Sequence, residues 1–361
     1  MERELNAMLM SRDVELARIE GNAMSVVRED LLPLYLRRTG DLEGWLAHRA
    51  IDRHRTHSRL LKKALRLAEK DDVSTALAVQ AATITDTYWV RPAGSSLTWD
   101  EVRYKENYFD SLALRGDLAA FSRQPSRTPE LTNTGSFEKC WRLENGRWWM
   151  YKQCNENEMF SELFVCELCK ALGFATAEYE RSGQYIRAPD FTQGRVNFEP
   201  AFSLVGDNED YAFNYRTLNA IDPNLADQYV ELLMMDAFCL NADRHTENYG
   251  VLREIETGAI LRMAPNFDNN IALLYDGYKP QPRQADLLGR ELNELERTDH
   301  ALSAYAARHP LPVVTPALIE QCCKKTGVPV DIPYVQQFVM AGYEQTAIPR
   351  LLRELAPPLE P

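Results

Sequence analysis

Asn241-Ala-Asp-Arg-His-Thr-Glu-Asn248-Tyr-Gly250 is a polar run that begins where an apolar helix is predicted to end. The helix is indicated by two adjacent rows of apolar residues at i,i+4 spacing between Tyr229 and Leu240, a pattern typical of a largely buried helix. A second acidic position, Asp268, follows after two β-prone segments joined by a turn at Thr257-Gly258. We expect this hairpin to bring Asp268 back to the place where the buried helix delivers Asn248.

The side chains of this region are those that phosphoryl transfer requires. Asn248 and Asp268 supply oxygen ligands, and Mg²⁺ prefers one or two carboxylates together with substrate phosphates. Asp243, a few residues before Asn248, is placed to accept a proton from an attacking hydroxyl. A surface loop of polar residues is the alternative interpretation. It is disfavoured because the run adjoins a buried helix and is followed by a second acidic site.

A second candidate element is the small-residue loop from Thr132 to Lys139. It enters a predicted hairpin whose turn is Asn145-Gly146 and whose second strand ends at Lys152. Backbone N–H groups of such a loop, at Gly135 and Ser136, can cradle phosphate oxygens, and a lysine can neutralise them. One glycine and a hairpin lysine are weak signals by themselves, because both are also common on solvated hairpins.

Composition and charge restrict the class of protein. The 361 residues are 45% hydrophobic and 26% charged, as in an ordinary soluble globular protein, and the length suggests two domains. The formal net charge of -12 does not indicate direct binding to nucleic acid or to an anionic membrane surface. The seven cysteines, the charged amino terminus and the lack of an apolar run of membrane-spanning length predict a reduced, cytoplasmic protein.

Three further clusters are given structural interpretations. Cys166-Glu-Leu-Cys169 has redox or zinc spacing but lies in an amphipathic helix without a second pair, so we predict a buried structural pair. His48, His54 and His57 lie among arginines with no nearby cysteine pair, which favours a solvated basic helix face over a zinc site. Asp236, in the buried helix, is predicted to accept hydrogen bonds that brace the polar run.

The region from about Thr128 to Asp276 resembles the HipA-like serine/threonine kinases, a bacterial family related to toxin–antitoxin kinases. The agreement is greatest in Asp236…Asn241-Ala-Asp243-Arg-His245-x-x-Asn248-x-Gly250 and in the following Ala264-Pro-x-x-Asp268. The loop Gly135-x-x-x-Lys139, the lysine at Lys152 and the pair Ser161-Glu162 also match the family pattern.

The resemblance implies a role for each matched residue around the reacting phosphate. Asp243 would be the catalytic base, and His245 would orient the loop that carries it. Asn248 and Asp268 would hold Mg²⁺.

The resemblance also implies how the nucleotide is held. Lys152 would hold the phosphates of ATP, and Glu162 would orient Lys152 through an ion pair. Lys139 would lie under the loop that contains Gly135 and Ser136. In relatives, a serine three residues before the loop glycine can be autophosphorylated, which ejects the loop and silences the enzyme; the equivalent position here is Thr132, a hypothesised regulatory phosphosite.

The resulting fold prediction is α+β, a two-lobed protein-kinase-like (HipA-like) fold. Residues 1–120 would form a largely helical amino-terminal accessory module, entered through one short strand around Val14 to Ile19. Residues 128–192 would form a small α/β N-lobe and residues 193–361 a mainly helical C-lobe. The polar, proline-interrupted stretch 122–129 would separate the module from the N-lobe.

The predicted function is ATP- and Mg²⁺-dependent transfer of a phosphoryl group to a protein serine or threonine, with autophosphorylation. The alternatives are a lipid or small-molecule kinase and a nucleotide-binding pseudokinase that acts as a regulatory module. An antitoxin or another regulatory protein is an open partner, because the amino-terminal segment does not look like the corresponding part of the founding toxins.

Overall fold

The structure is a computed structural model that describes residues 5–21, 23–279 and 283–355. The chain forms two compact units, each built from discontinuous segments. The first unit comprises Met1–Gln153, Glu180–Leu204 and Val251–Leu261. The second comprises Cys154–Tyr179, Val205–Gly250 and Arg262–Pro361. The stretch 128–192, predicted to be one lobe, is therefore shared between the two units.

The amino-terminal segment contains an antiparallel sheet, which corrects the prediction of a largely helical module with one short strand. Its strands are β1 (Leu5–Ser11), β2 (Val14–Gly21), β3 (Ala23–Val26) and β4 (Tyr88–Pro92), in the order β3-β2-β1-β4. Leu9 packs in the hydrophobic cluster on one face, and its neighbour Met10 packs in the cluster on the other. A strand that is buried on both faces lacks the alternation that marks a half-exposed strand, and this hid β1 in the sequence.

Short helices surround this sheet. They are α1 (Leu34–Thr39), α2 (Leu42–Ala47), α3 (Ser58–Ala64), α4 (Asp72–Leu77), α5 (Trp99–Val102) and α6 (Asp110–Arg115). Two turns of 3₁₀ helix, Leu118–Ser122 and Pro129–Thr132, flank the stretch predicted to be a linker.

The second sheet of the first unit contains the predicted hairpin. Its strands are β5 (Lys139–Glu144), β6 (Arg147–Gln153), β7 (Glu180–Ser182) and β8 (Tyr185–Pro189), in the order β5-β6-β8-β7. Asn145 and Gly146 have φ angles of 51° and 77°, as a two-residue turn with both central residues at positive φ requires, so the predicted turn is confirmed. The resulting register places Lys139 directly opposite Lys152.

A third sheet is held by a buried ion pair. It contains β9 (Val196–Pro200), β10 (Gly250–Glu254) and β11 (Ile260–Met263), in the order β11-β10-β9. Arg253 Nη1 lies 2.5 Å from Glu199 Oε1, and both side chains are buried. The Tyr88 hydroxyl donates to the same carboxylate oxygen at 3.0 Å, and Arg253 also donates to the carbonyl oxygens of Leu32 and Asp30.

The second unit is helical, and one helix lies at its centre. Helix α10 (Pro223–Cys239) begins at Asp222, whose carboxylate accepts from the N–H of Asn224, and nearly all of its side chains are buried. The other helices are α7 (Glu156–Leu172), α8 (Phe202–Val205, at the boundary with the first unit), α9 (Tyr211–Ile221), α11 (Leu287–Asp299), α12 (Ala301–Ala306), α13 (Pro316–Thr326), α14 (Ile332–Glu344) and α15 (Ile348–Leu355). In the part of the chain that the structure describes, no helix has the length and apolarity that crossing a bilayer demands.

Glu199→Ala is expected to lower the free energy of unfolding of the protein by about 3–5 kcal/mol, because it leaves the Arg253 guanidinium buried without its carboxylate. Urea unfolding followed by circular dichroism measures the change. Glu256→Ala is the matched control, since Glu256 pairs with Arg12 at 3.1 Å in an exposed ion pair whose loss has little effect. Equal losses of stability in the two variants would contradict the assignment.

Candidate active site

Helix α10 delivers the polar run to the edge of the core. Leu240 ends the helix in the left-handed conformation, with φ 53° and ψ 54°. The chain then turns tightly, because the N–H of His245 donates to Asp243 O at 3.0 Å and the N–H of Asn248 donates to His245 O at 2.9 Å. The side-chain amide of Asn248 donates from Nδ2 to Asp243 O at 2.8 Å, which orients the amide oxygen as the atom that can bind a cation.

The conformation of the candidate catalytic loop, residues 241–248, depends on a buried pair between Asp236 and Arg244. Arg244 Nε lies 2.9 Å from Asp236 Oδ2, and Arg244 Nη2 lies 3.0 Å from Asp236 Oδ1. Their side chains are 3% and 1% exposed. Asn241 donates to the same carboxylate at 3.1 Å. The prediction that Asp236 accepts hydrogen bonds that brace the polar run is confirmed.

Arg244 also connects the catalytic loop to the segment that carries Asp268. Its Nη1 donates to the carbonyl oxygens of Asn248 at 2.8 Å and Phe267 at 2.9 Å. Its Nη2 donates to the side-chain oxygens of Asn266 at 3.0 Å and Asn269 at 2.7 Å. One guanidinium nitrogen thus touches the backbone of Asn248 and that of the residue immediately before Asp268.

Asp268 itself has a left-handed backbone, with φ 62°, which is uncommon for a residue other than glycine. Helix α7 holds the next residue in place, because the N–H of Asn269 donates to Glu162 Oε1 at 2.9 Å. Ser161, the neighbour of Glu162, donates to Ala272 O at 2.5 Å. The Ser161-Glu162 opening of the sequence motif therefore anchors the Asp268 segment. The ion pair of Glu162 with Lys152 stays a prediction.

The electrostatics of the site favour a bound cation. Burial raises the pKa of the half-buried Asp243 above its ordinary value, and the nearby carboxylate of Asp268 raises it further. His245 and Arg244 act in the opposite direction and lower the pKa of Asp243. Two carboxylates that repel each other are stabilised when a cation binds between or beside them.

The donor set fits Mg²⁺ better than a transition metal. Among the residues that the structure describes, no cluster of three or more His, Cys, Asp or Glu side chains is arranged to hold a metal ion. The oxygens of Asp268 and Asn248 are the small, hard donor set that Mg²⁺ accepts when substrate phosphates supply the remaining ligands. The histidine cluster does not gather around a metal, since His57 Nδ1 lies 2.8 Å from Glu138 and the His48 ring packs on Phe202.

The candidate phosphate-binding loop, residues 132–139, lies in the first unit. Gly135 has φ 92°, and the side-chain amine of Lys139 occupies the space that a Cβ atom at Gly135 would need. Lys139 therefore lies against Gly135, as the resemblance implied, and Ser136 beside it is exposed. Lys139 and Lys152 face each other across the hairpin and are only 8% and 6% exposed.

The structure also locates two other groups that the sequence singled out, Thr132 and the cysteine pair. Thr132 is buried, and its hydroxyl donates to Ala82 O at 2.6 Å, so phosphorylation would require the residue to leave this position. Cys166 and Cys169 are buried free thiols, and burial raises the pKa of both, in agreement with a structural role.

Sequence reasoning missed Arg244, Asn266 and Asn269. Arg244 stood inside the quoted motif, but an arginine in a polar run is usually solvated, and only the adjacent acceptor Asp236 hinted at its burial. Asn266 and Asn269 flank Phe267-Asp268, and nothing local distinguishes them from loop asparagines.

Arg244→Lys is expected to weaken binding of a divalent ion about 10–100-fold, because an ammonium cannot hold both Asn248 and Phe267 in place while it binds Asp236. Mn²⁺, read by electron paramagnetic resonance, serves as the probe. The control is Arg283→Lys, since Arg283 is also buried and donates to Ala237 and Phe238 in α10 rather than to the catalytic loop. Unchanged Mn²⁺ affinity in Arg244→Lys would refute this role.

Comparisons with known proteins relate this geometry to a fold. No family model and no curated protein matches the chain. The structure of HipA from a toxin–antitoxin system of Shewanella oneidensis MR-1, in complex with HipB and operator DNA, matches with a TM-score of 0.64. That match covers 97% of this chain and 100% of HipA at 13% sequence identity. The Helicobacter pylori proinflammatory kinase CtkA matches with a TM-score of 0.42, over 57% of this chain and 93% of CtkA, at 16% identity.

The match to HipA extends over nearly the whole chain, including the amino-terminal segment for which the sequence suggested no counterpart in the founding toxins. At this level of identity the likeness concerns the fold. The protein therefore has the α+β fold of the HipA-like kinases, as its sequence motifs predicted.

Proposed function

We propose that the protein is a kinase that uses ATP and Mg²⁺ to phosphorylate a serine or threonine hydroxyl of a protein, itself included. One observation carries the proposal: Arg244 binds the backbone of both Asn248 and Phe267, which supports placing the Asn248 amide and the Asp268 carboxylate in one site beside Asp243. The HipA-like fold supports it.

Bound Mg²⁺ would neutralise the negative charge that develops on the transferred phosphoryl group. The residues of the chain supply positioning. Asn248 and Asp268 would hold the ion. The Asn248–Asp243 hydrogen bond orients the Asn248 amide, and the contact of Asn269 with Glu162 holds the backbone next to Asp268. Because these groups are already oriented, they need not reorganise during the reaction.

Asp243 would accept the proton of the attacking hydroxyl. Burial and the neighbouring Asp268 raise its pKa, and a carboxylate with a raised pKa is a stronger base than an exposed aspartate. His245 adjoins the base, and its Nδ1 accepts from the N–H of Glu247 at 3.3 Å, which limits the rotation of the imidazole. In this proposal, His245 orients the loop, as the sequence resemblance implied.

Lys139 and Lys152 would bind the phosphates of ATP. Both lysines are nearly buried and lie directly opposite each other on paired strands, and Lys139 lies against Gly135 of the loop. Gly135 allows the loop above Lys139 to approach the phosphates closely, since any side chain at this position would collide with the lysine.

The choice of a protein substrate and the nature of a partner follow from the family resemblance. The Shewanella HipA structure contains HipB and operator DNA. By analogy, a regulatory protein of the antitoxin kind is part of the proposal for this chain, and the phosphoryl acceptor is a protein serine or threonine.

Asp243→Ala and Asp268→Ala are each expected to reduce transfer of the γ-phosphate by roughly two to three orders of magnitude or more, because each removes a group aimed at the reacting atoms. The measurement is incorporation of label from radioactive ATP, with Mg²⁺, into the protein itself and into a cell extract. Glu247→Ala is the control, since Glu247 is an exposed carboxylate of the same loop.

Each alternative outcome has a definite meaning. Equal labelling of wild type and Asp243→Ala would overturn the role of Asp243. Binding of nucleotide without turnover in the wild type would favour a pseudokinase, and label confined to a lipid extract would favour a lipid kinase.

Thr132 is expected to take up phosphate slowly during prolonged incubation with ATP, because its hydroxyl is buried against Ala82 O and must first be released. A phosphate group next to that carbonyl oxygen would be repelled, so phosphorylation should keep the loop displaced and make it sensitive to protease. Mass spectrometry locates the phosphate. Thr132→Val should abolish it and Thr134→Val, an exposed neighbour, should not; phosphate at Thr134 alone would contradict the prediction.

A further inference from the structure

Arg55 is a fully buried arginine that no motif predicted. Its side chain is 1% exposed. It lies in the turn before α3, and its carbonyl oxygen accepts from the N–H of Ser58 at 3.1 Å and from the Ser58 hydroxyl at 2.8 Å. These bonds fix the backbone of Arg55 within the amino-terminal module, residues 1–120.

The guanidinium of Arg55 donates hydrogen bonds to both ends of the phosphate-binding loop. Nη1 donates to Asn133 O at 2.8 Å, and Nη2 donates to Lys139 O. Asn133 stands two residues before Gly135, and Lys139 is the lysine that lies against Gly135. The segment between the two gripped carbonyls therefore contains the backbone N–H groups that face a phosphate in the proposed function.

Glu130 completes the buried network around Arg55. Its carboxylate is fully buried and lies 3.7 Å from Arg55 Nη2. Oε2 accepts from Asn133 Nδ2 at 2.9 Å, and Oε1 accepts from the N–H of Trp141 at 2.7 Å and from Asn107 Nδ2 at 2.7 Å. The residue before the loop and the strand after it are thus joined to the same ion pair.

Three more contacts from the module reach the same segment. The N–H of Ile51 donates to Leu131 O at 2.8 Å, and Ala82 O accepts from the Thr132 hydroxyl. His57 Nδ1 lies 2.8 Å from the carboxylate of Glu138, inside the loop. The module therefore contacts the loop at its start and at its end.

We propose that the amino-terminal module serves as the positioning element of the phosphate-binding loop and acts chiefly through Arg55, so that the module sets the affinity for nucleotide. This inference rests on the proposed function for its consequence, nucleotide affinity, while its structural part is independent of it. Arg55 is a positioning residue and would not touch the nucleotide.

The physical reason is preorganisation. A glycine-containing loop that is free in solution loses conformational entropy when it closes on phosphates, and this loss weakens binding. A loop already held at both ends has lost that entropy during folding. When the binding-competent conformation is only a fraction of the population, the apparent dissociation constant rises by the inverse of that fraction.

The test is Arg55→Lys, which keeps a positive charge beside Glu130 but cannot donate in two directions from a rigid fork. Hydrogen exchange of peptides covering residues 132–139 is measured without nucleotide, and KM for ATP and kcat are measured separately. We expect faster exchange of the loop amides and a KM for ATP raised about tenfold, with kcat at saturating ATP changed much less, as a tenfold drop in the competent fraction requires.

Arg253→Lys is the matched control. Arg253 is equally buried in the first unit and donates to several carbonyl oxygens, but these belong to Asp30, Leu32 and Gly258 rather than to the loop. We expect it to lower Tm at least as much as Arg55→Lys while leaving the exchange of the loop and KM unchanged. His57→Gln, a milder change on the partly exposed side of the same loop, should shift both readouts in the direction of Arg55→Lys.

The outcomes separate this inference from the proposed function. Unchanged exchange of the loop in Arg55→Lys overturns the inference, and so does a looser loop with unchanged nucleotide affinity. The same rise in KM in Arg253→Lys would reduce the effect to general stability and also overturn it. If the wild type binds no ATP, the proposed function fails, while the exchange measurement still decides whether Arg55 holds the loop.

Discussion

The ion pair between Asp236 and Arg244 is the interaction on which the candidate site depends. Removing two charges from water is unfavourable, and their attraction offsets this only when the remaining hydrogen-bonding groups are satisfied. Here all three guanidinium nitrogens are used, in six hydrogen bonds to five residues. A lysine could supply the charge but not these directions. The main effect of the pair is therefore to hold the catalytic loop next to the Asp268 segment, rather than to add net stability.

The contacts that hold these two segments together also stabilise an unfavourable backbone conformation at Asp268. The left-handed conformation of Asp268 costs on the order of 1–3 kcal/mol and persists only where the surroundings determine it fully. Those surroundings are Arg244 on the carbonyl of the preceding residue and Glu162 on the N–H of the following one. Asp268 is thus held through both of its neighbours in the chain, and burial together with the nearby carboxylate of Asp268 raises the pKa of Asp243. In the proposed function, a bound Mg²⁺ would offset the repulsion between these two carboxylates.

Sequence reasoning succeeded where chemistry is local. The Asn145-Gly146 turn and the buried face of α10 follow from rules that operate over a few residues. It failed where partners are distant in the chain. Strand β1 is buried on both faces and so lacks alternation. Arg55, Arg244 and Arg253 look like surface residues in the sequence, because their acceptors, which include backbone carbonyls of distant segments, leave no pattern in it. The discontinuous units were also out of reach, since the chain passes between them after β6, before β7, within α8, at the start of β10 and within β11.

A common principle connects the two candidate elements. In each, a buried arginine pairs with a buried carboxylate, Arg244 with Asp236 and Arg55 with Glu130, and uses its remaining donors on carbonyl oxygens of two separate segments. Both arginines bind backbone carbonyl oxygens, and Arg244 also binds the side-chain oxygens of Asn266 and Asn269. In the proposed function, the side chains of Asn248 and Asp268 would face Mg²⁺, while the N–H groups of Gly135 and Ser136 would face phosphate. Arginine suits this task because its planar fork remains charged when buried and addresses several acceptors at once. The residues that hold the site are therefore a different set from those that would perform the chemistry, and a motif made of the second set alone describes only half of what makes the site.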